Sequence, residues 1–232
     1  RRGYLHEIPD QLATMRTLLK KAERIEKVES APKMINEAFI AMLTGRPGPV
    51  HLEMSPDLMG NEIDFNEYRD AFLPPPPCAN ANDIDLAVSL LKKARKPLIY
   101  VGGGAQHAAR EVNELSSLIE APVTCFRSGR GIVDDRNYRS QVFPAGRRLW
   151  KNADVVFAIG TRLKYPQLYW GLDKNIKIIR LDIDPKEFEK YPDIEIALVG
   201  DAKTSLETLL PLVADEMKSP PKSREEELVT LK

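Results

Sequence analysis

The chain has 232 residues, 43% of them hydrophobic and 29% charged, and its 34 basic and 34 acidic residues give a formal net charge of zero. This length suits one large domain, or one domain with a substantial appendage, and the composition is that of a folded globular protein. Nucleic acids and anionic membranes select an excess of Lys and Arg. We therefore expect neither as a partner, and because little charge separates copies of the chain, a homodimer or homotetramer is expected.

The first 80 residues predict one helix, one strand and a linker. Ser30 is a candidate N-cap with Pro32 in the first turn, followed by apolar residues at helical spacing. Gly45-Arg-Pro-Gly-Pro49 ends that helix, and residues 50–54 follow as a short strand. One helix and one strand cannot bury a core, so residues 1–54 are expected to be a partial α/β segment. Residues 55–80, which contain four consecutive prolines, are expected to form an extended linker.

From residue 81 onwards, amphipathic helices alternate with short apolar strands. Asn82 is a candidate N-cap for the first of these helices, and Asp201 for the last, which carries apolar residues as far as Met217. The predicted strands are 97–101, 122–125, 154–159, 176–181 and 196–199. This alternation predicts a Rossmann-like α/β domain over 81–217, with a doubly wound, mostly parallel sheet of the type that binds NAD or FAD. Residues 218–232 are expected to be a flexible charged tail.

Glycine or aspartate follows several of the predicted strands, at Gly102–Gly104, Gly160, Asp182 and Gly200-Asp201. In parallel sheets, ligands bind beyond the carboxyl ends of the strands. Glycines there allow a ligand close to the backbone, and carboxylates can accept hydrogen bonds from ribose hydroxyls. The pattern favours a nucleotide-like ligand, although tight turns between strands and helices also require glycine.

Several catalytic motifs are incomplete. A dinucleotide fingerprint from Gly102 would need glycine at position 107, which is His107, and no P-loop lysine follows. Gly200-Asp201 is followed by alanine and not by the glycine of a Gly-Asp-Gly diphosphate motif. His6, His51 and His107 have no partners at metal-ligand spacing. We therefore assign no catalytic residue and no metal ligand.

Cysteine content and the chain start indicate the cellular setting. Cys78 and Cys125 are the two cysteines, and such low cysteine content is typical of reduced thiols in the cytosol or matrix. No apolar run is long enough to span a bilayer. The start, Arg1-Arg2-Gly3-Tyr4, has neither an initiator Met nor the apolar region of a signal peptide. We expect a soluble cytoplasmic protein that begins inside a longer gene product.

The segment Gly45-Arg-Pro-Gly-Pro-Val-His-Leu-Glu53 resembles the end of the pyrimidine-binding domain in thiamine diphosphate-dependent enzymes. The chain beyond it resembles the middle domain of the same family, in the same order. The matching segments are Pro97-Leu-Ile-Tyr-Val-Gly-Gly-Gly104, Ala121-Pro-Val-Thr124, Ala153-Asp-Val-Val156, Ile159-Gly-Thr-Arg162, Leu181-Asp-Ile-Asp-Pro185 and Gly200-Asp201. The resemblance is to acetolactate synthase-like, oxalyl-CoA decarboxylase-like and benzoylformate decarboxylase-like enzymes.

This resemblance implies a parent enzyme that makes or breaks a carbon–carbon bond at a 2-keto acid or acyl-CoA, with thiamine diphosphate and Mg²⁺. In the family's order, the glutamate that activates the cofactor lies before residue 1. The Gly-Asp-Gly and Asn metal site lies after residue 232. The chain is thus expected to be a fragment, inactive alone, whose partners are the remaining catalytic domains. Its middle domain would be structural and, in some relatives, nucleotide-binding.

The resemblance also implies where a nucleotide would lie in the middle domain, which holds FAD in some relatives, ADP in others, and nothing in many. The residues carried over are Gly102, Gly103, Gly104, Phe126, Arg127, Ser128, Gly160, Thr161, Arg162, Asp182, Ile183 and Asp201. Flavin-type members continue with Phe-Asp-Asp-Arg where this chain has Leu163-Lys-Tyr-Pro-Gln167. ADP is therefore expected in preference to FAD, and an empty site in preference to either. The alternative is a stand-alone module of the same fold, electron-transfer flavoprotein-like or sirtuin-like. Such a module would have no use for residues 30–54.

Overall fold

The computed structural model describes residues 8–64, 72–171, 176–190, 193–217, 219 and 221–232. The chain divides into two compact units, Arg1–Pro75 and Pro76–Lys232. The division lies within the segment predicted to be a proline-rich linker. No helix in the described ranges has the length and apolar character needed to cross a membrane.

The first unit contains α1 (Gln11–Leu18), β1 (Lys21–Ile25), α2 (Ala31–Leu43) and β2 (Val50–Met54). The two strands pair in parallel, with Lys21 opposite Val50 and Ile25 opposite Met54. Of these elements, α1 and β1 are absent from the sequence-based prediction. Three of the five residues of β1 are charged, so the strand lacks the apolar run by which the others are recognised.

The entry to α2 also differs from the expectation in one detail. Ser30 occupies the N-cap position, but its hydroxyl makes no capping hydrogen bond. It donates instead to the carbonyl of Lys27 at 2.6 Å. At the other end, Gly45 adopts a φ of 56°, a left-handed conformation that glycine tolerates well.

The second unit is built on a six-stranded parallel sheet. Its strands are β3 (Pro97–Val101), β4 (Val123–Cys125), β5 (Ser140–Gln141), β6 (Val155–Ile159), β7 (Lys177–Asp182) and β8 (Ile196–Val199). Its helices are α3 (Ala81–Lys93), α4 (Ala109–Leu118), α5 (Phe143–Asn152), α6 (Lys164–Tyr169), α7 (Ala202–Glu216) and α8 (Glu225–Leu231). The strand order is β5-β4-β3-β6-β7-β8, which is the Rossmann order and confirms the predicted fold class.

Both faces of the sheet are buried, which explains the continuous apolar runs of β3 and β6. On one face, Ile99 and Phe157 pack in the larger cluster with residues of α3, α4 and α7. On the other face, Tyr100 and Val156 pack with Trp150 of α5. Alternate residues of each strand therefore contribute to opposite cores, as a doubly wound sheet requires.

One helix boundary and the C-terminal tail differ from the expectation. The N-cap of α3 is Asn80, whose side chain accepts from the Asn82 amide at 2.9 Å, and not Asn82 itself. The charged tail predicted over 218–232 contains α8, in which Leu228 is fully buried. Arg224 donates to the Pro97 carbonyl at 3.1 Å, and the Leu228 carbonyl accepts from Gln141 at 3.0 Å. Leu228, Val229 and Leu231 follow three consecutive glutamates in seven residues, which is too short a stretch to give a periodic signal for this docked helix.

Candidate functional site at the strand ends

The carboxyl ends of four strands lie side by side along one edge of the sheet. The Gly102 amide donates to the Ile159 carbonyl at 3.0 Å, and the Gly160 amide donates to the Leu181 carbonyl at 2.8 Å. The Gly200 amide donates in turn to the Asp182 carbonyl at 3.0 Å. The strand order reverses between β3 and β6, so this edge includes the position at which ligands bind in folds of this class.

The glycine turns after β3 and β6 pack directly against each other. A Cβ on Gly102 would lie 2.4 Å from the Gly160 carbonyl oxygen, and a Cβ on Gly160 would lie 2.4 Å from the Gly104 carbonyl carbon. Gly160 also has a φ of 58°. The contact between the two turns therefore accounts for Gly102, Gly104 and Gly160 without a ligand. Gly103 is less confined, since the nearest atom to its would-be Cβ is the Ser128 Cβ at 3.3 Å.

The turn after β4 brings a second set of predicted residues to the same edge. Arg127–Gly129 forms one turn of 3-10 helix. The Gln106 side chain holds that turn in place by donating to the Ser128 carbonyl at 2.7 Å and to the Arg130 carbonyl at 3.2 Å. A cavity of about 210 Å³ lies here, lined by Phe126 and Arg127 among others. Gln106 was not predicted, because a polar residue next to a glycine turn has no distinctive spacing.

Three aromatic rings cluster beside this cavity. Phe126 lies 4.9 Å from Phe143 and 5.3 Å from Tyr165, between ring centroids, and Phe143 and Tyr165 are 5.1 Å apart. Tyr165 belongs to the segment that replaces the Phe-Asp-Asp-Arg pattern, and Leu163 of that segment is 1% exposed. In register with that pattern, Leu163 stands at the Phe position, and the two carboxylates are replaced by Lys164 and by the stacked ring of Tyr165. These residues do not fit the flavin-type pattern, and we derive no role for FAD.

Asp182, at the end of β7, is held beside a buried arginine. The Arg180 side chain is inaccessible to solvent, donates to the Glu187 carbonyl at 2.9 Å and lies 3.4 Å from the Asp182 carboxylate. The Asp184 amide donates to the same carboxylate at 3.1 Å. Burial raises the pKa of Asp182, while the Asp184 amide and Arg180 oppose that shift. The carboxylate is oriented and 13% exposed, which leaves it accessible to a hydroxyl donor.

Two neighbouring residues of the predicted set lie around Asp182. Ile183 follows it and is half-buried. Arg162, after β6, lies near Glu187, the residue whose carbonyl accepts from Arg180; its Nε is 3.9 Å from the Glu187 carboxylate. The loops after β6 and β7 are therefore linked by an ion pair of opposite charges.

Asp201 is the N-cap of α7, as the sequence predicts. Its carboxylate accepts from the Thr204 amide at 3.0 Å and contacts the His107 Nε2 at 2.7 Å. Burial alone would raise the pKa of Asp201, but the Thr204 amide and His107 lower it below its ordinary value. His107 has a structural partner here that its sequence position does not reveal. His6 lies outside the described residues.

Comparison with known proteins identifies the family. Residues 84–209 match the family described as thiamine pyrophosphate enzyme, central domain. The chain belongs to this family. The match confirms the predicted resemblance and favours it over a stand-alone electron-transfer flavoprotein-like or sirtuin-like module.

The sequence similarity to individual proteins is consistent with this family assignment. The chain is 27% identical to acetolactate synthase isozyme 3 large subunit of Escherichia coli, over 91% of the chain and 40% of the relative. It is 29% identical to a probable 2-ketoarginine decarboxylase of Pseudomonas aeruginosa, over 93% of the chain and 40% of the relative. It is 31% identical to a probable acetolactate synthase large subunit of Methanocaldococcus jannaschii, over 90% of the chain and 38% of the relative. The chain thus spans about two fifths of the length of these relatives.

Within the described ranges, no three His, Cys, Asp or Glu side chains are placed to share a metal ion. Gly200-Asp201-Ala202 uses its aspartate as a helix cap. In this central domain, the strand-end amides of Gly102, Gly160 and Gly200 bond neighbouring strands, so the group best placed to orient a ligand is the Asp182 carboxylate.

Proposed function

We propose that this chain is the non-catalytic central part of a thiamine diphosphate-dependent lyase or synthase that acts on a 2-keto acid or an acyl-CoA. The observation that carries the proposal is the match of residues 84–209 to the central domain of that family. The relatives that align over almost the whole chain include acetolactate synthases and a probable 2-ketoarginine decarboxylase. The intact enzyme would use thiamine diphosphate with Mg²⁺, which supplies the carbanion chemistry when bound.

The chain alone should therefore catalyse no turnover. The purified 232-residue protein is supplied with thiamine diphosphate, Mg²⁺ and, in turn, pyruvate, oxalyl-CoA and benzoylformate. We expect no product above the protein-free rate, because its own residues provide no activating carboxylate and no complete diphosphate-metal motif. The E. coli acetolactate synthase large subunit serves as the positive control with pyruvate. Turnover of any of the three substrates by the chain would contradict the proposal.

We further propose that an adenine nucleotide lies over the strand ends of the central domain. The supporting geometry is the row of strand ends joined by backbone hydrogen bonds, with Asp182 oriented at one of them. A carboxylate in that position can accept hydrogen bonds from ribose hydroxyls. Gly103 and Ser128 lie close together at the same edge, and both are exposed, which leaves room there for a phosphate.

Asp182→Ala tests the nucleotide site. It should weaken ADP binding by roughly ten- to a hundredfold, since each lost charge-assisted hydrogen bond costs roughly 1.5–3 kcal/mol. Titration calorimetry measures the affinity, and circular dichroism checks that the variant is folded. Glu195→Ala is the matched control, because Glu195 pairs with Lys177 at the start of β7, the opposite end of that strand. Unchanged ADP affinity in Asp182→Ala, or tight binding of FAD by the unmodified chain, would contradict the assignment.

Two further proposals concern the setting of the protein. We propose a cytoplasmic location, supported by the two free cysteines, Cys78 and Cys125. A homodimer or homotetramer is proposed for the intact enzyme, supported by the zero net charge and by partly exposed apolar residues on α2 such as Phe39. The remaining catalytic domains of the enzyme would be the other partners.

A further inference from the structure

A second concave surface lies between α5 and α6. It encloses about 580 Å³, which is within the usual range of small-molecule sites. None of its lining residues belongs to the set predicted to bind a nucleotide at the strand ends. We call it the basic groove. Its lining includes three cationic and three aromatic side chains, Arg147, Arg148, Lys151, Tyr165, Tyr169 and Trp170.

The cations of the basic groove share one side of α5. Arg147 and Lys151 are one turn apart, Arg148 lies beside them, and all three are exposed. The opposite side of the helix is anchored in the core by Leu149 and Trp150. The Trp150 indole N–H donates to the Gly171 carbonyl at 2.7 Å, which ties the helix to the end of the α6 segment. The three cations are therefore held close together on a fixed support.

These cations lack the carboxylate partner that most arginines of the same unit have. Seven arginines of that unit lie within 4.0 Å of a carboxylate: Arg110, Arg130, Arg136, Arg139, Arg162, Arg180 and Arg224. Across the part of the chain that the structure describes, Arg147, Arg148 and Lys151 have no carboxylate within that distance, and the described lining of the groove contains none. Like charges one turn apart disfavour each other, so an ordinary solvated helix face would be expected to include acidic residues.

The other wall of the basic groove is aromatic. The centroids of Tyr165 and Tyr169 are 4.6 Å apart, and those of Phe143 and Trp170 are 4.8 Å apart. These contacts hold the rings in place, yet Tyr169 remains 64% exposed and Tyr165 39% exposed. Rings that are fixed by neighbours and open to solvent can stack against a planar ligand at little entropic cost.

We propose that the basic groove binds an organic anion in which an aromatic ring carries a phosphate group. The ring stacks on Tyr169, and the phosphate lies against Arg147 and Arg148, whose guanidinium groups match its geometry. Lys151 adds a third positive charge. The groove shares Phe143 with the cavity beside Phe126, but the residues proposed to bind its ligand are different from Asp182, so the two sites can be tested separately.

The test uses 1-naphthyl phosphate, which has a ring and a phosphate but no ribose for Asp182 to hold. It is titrated into the full chain by calorimetry. Arg147→Gln/Arg148→Gln should weaken its binding at least about tenfold, because two charge-assisted contacts are lost. Tyr169→Ala should weaken it about fivefold through loss of stacking. Asp182→Ala should leave it unchanged, and so should the control Lys93→Gln/Lys203→Gln, which removes two exposed cations from α3 and α7.

Four results would overturn the proposal. The first is the absence of saturable binding at millimolar 1-naphthyl phosphate by the folded chain. Another is equal weakening in the control variant, which would show that only overall charge matters. Inorganic phosphate that binds as tightly would remove the role of the ring. Unchanged affinity in both Arg147→Gln/Arg148→Gln and Tyr169→Ala would place the ligand elsewhere.

Discussion

The two units of the chain bury apolar side chains to very different extents. Among the described residues of Arg1–Pro75, the buried apolar residues are Ala22, Ile25 and Ala38. Pro76–Lys232 instead contains two extended clusters, one on each face of the six-stranded sheet. The two units have the same kind of elements, parallel strands beside helices, so secondary structure alone does not distinguish them. The units differ in the width of the sheet: six strands give the helices of the second unit a surface to pack against, whereas the described part of the first unit has two strands.

The α2 helix illustrates this contrast. Ile35, Phe39 and Leu43 repeat along one side of it and are 46%, 49% and 50% exposed. In α4, by comparison, Val112 and Leu115 are fully buried against the sheet. The same helical spacing of apolar residues is thus a core face in one unit and an uncovered face in the other. We infer that most of the stabilisation of this chain comes from the second unit.

The largest effect should come from paired truncations of phenylalanine in the two units. Phe157→Ala, at the centre of β6 and 1% exposed, should lower the free energy of unfolding by about 3–5 kcal/mol. Phe39→Ala, at 49% exposure on α2, should lower it by less than about 1 kcal/mol. Urea denaturation followed by circular dichroism measures both. Equal losses would show that α2 contributes to a core as fully as β6 does.

A smaller effect is expected from the aspartates that cap a helix in each unit. Asp201 caps α7 from a buried position and also contacts His107, while Asp10 caps α1 from an exposed position by accepting from the Ala13 amide at 2.9 Å. Because the pKa of Asp201 is lowered in the folded state, its charge contributes stability above the unfolded-state pKa. That contribution is lost as the pH falls through the lower, folded-state pKa.

Asp201→Asn should therefore cost about 1 kcal/mol at neutral pH and progressively less in acid, whereas Asp10→Asn should cost at most a few tenths of a kcal/mol. Thermal unfolding of both variants and the unmodified chain between neutral and acidic pH supplies the comparison. A cost for Asp201→Asn that stays constant over the whole range would rule out a contribution from its charge.

Much of the fold could be predicted because β3 and β6 are continuous apolar runs followed by glycine, and β7 is largely apolar and ends at Asp182. That pattern is typical of a sheet buried on both faces. The elements that were not predicted are α1, β1, β5, α5, α6 and α8. Of these, β1, β5 and α8 are short or charged, and they form because a neighbour is present: β1 pairs with β2, β5 with β4, and α8 docks through Leu228. Such tertiary contacts leave no periodic signal in the sequence.

The candidate site could be predicted less completely. The strand-end positions of Asp182 and Asp201 follow from the order of the strands. The mutual packing of Gly102 and Gly160 does not, because it depends on how two turns separated in sequence meet. For the same reason the sequence did not reveal that His107 contacts Asp201, nor that Arg147 and Tyr169 line one groove.

Amide hydrogen exchange on the whole chain tests most directly whether the second unit holds the stable core. The measurement should be made at a concentration at which sedimentation shows a monomer, so that another copy cannot protect the first unit. We predict that amides of β3 and β6 exchange only through global unfolding, and that those of β1 and α2 exchange through much smaller openings, at least about a hundredfold faster. Equal protection of both sets in a demonstrated monomer would contradict the account.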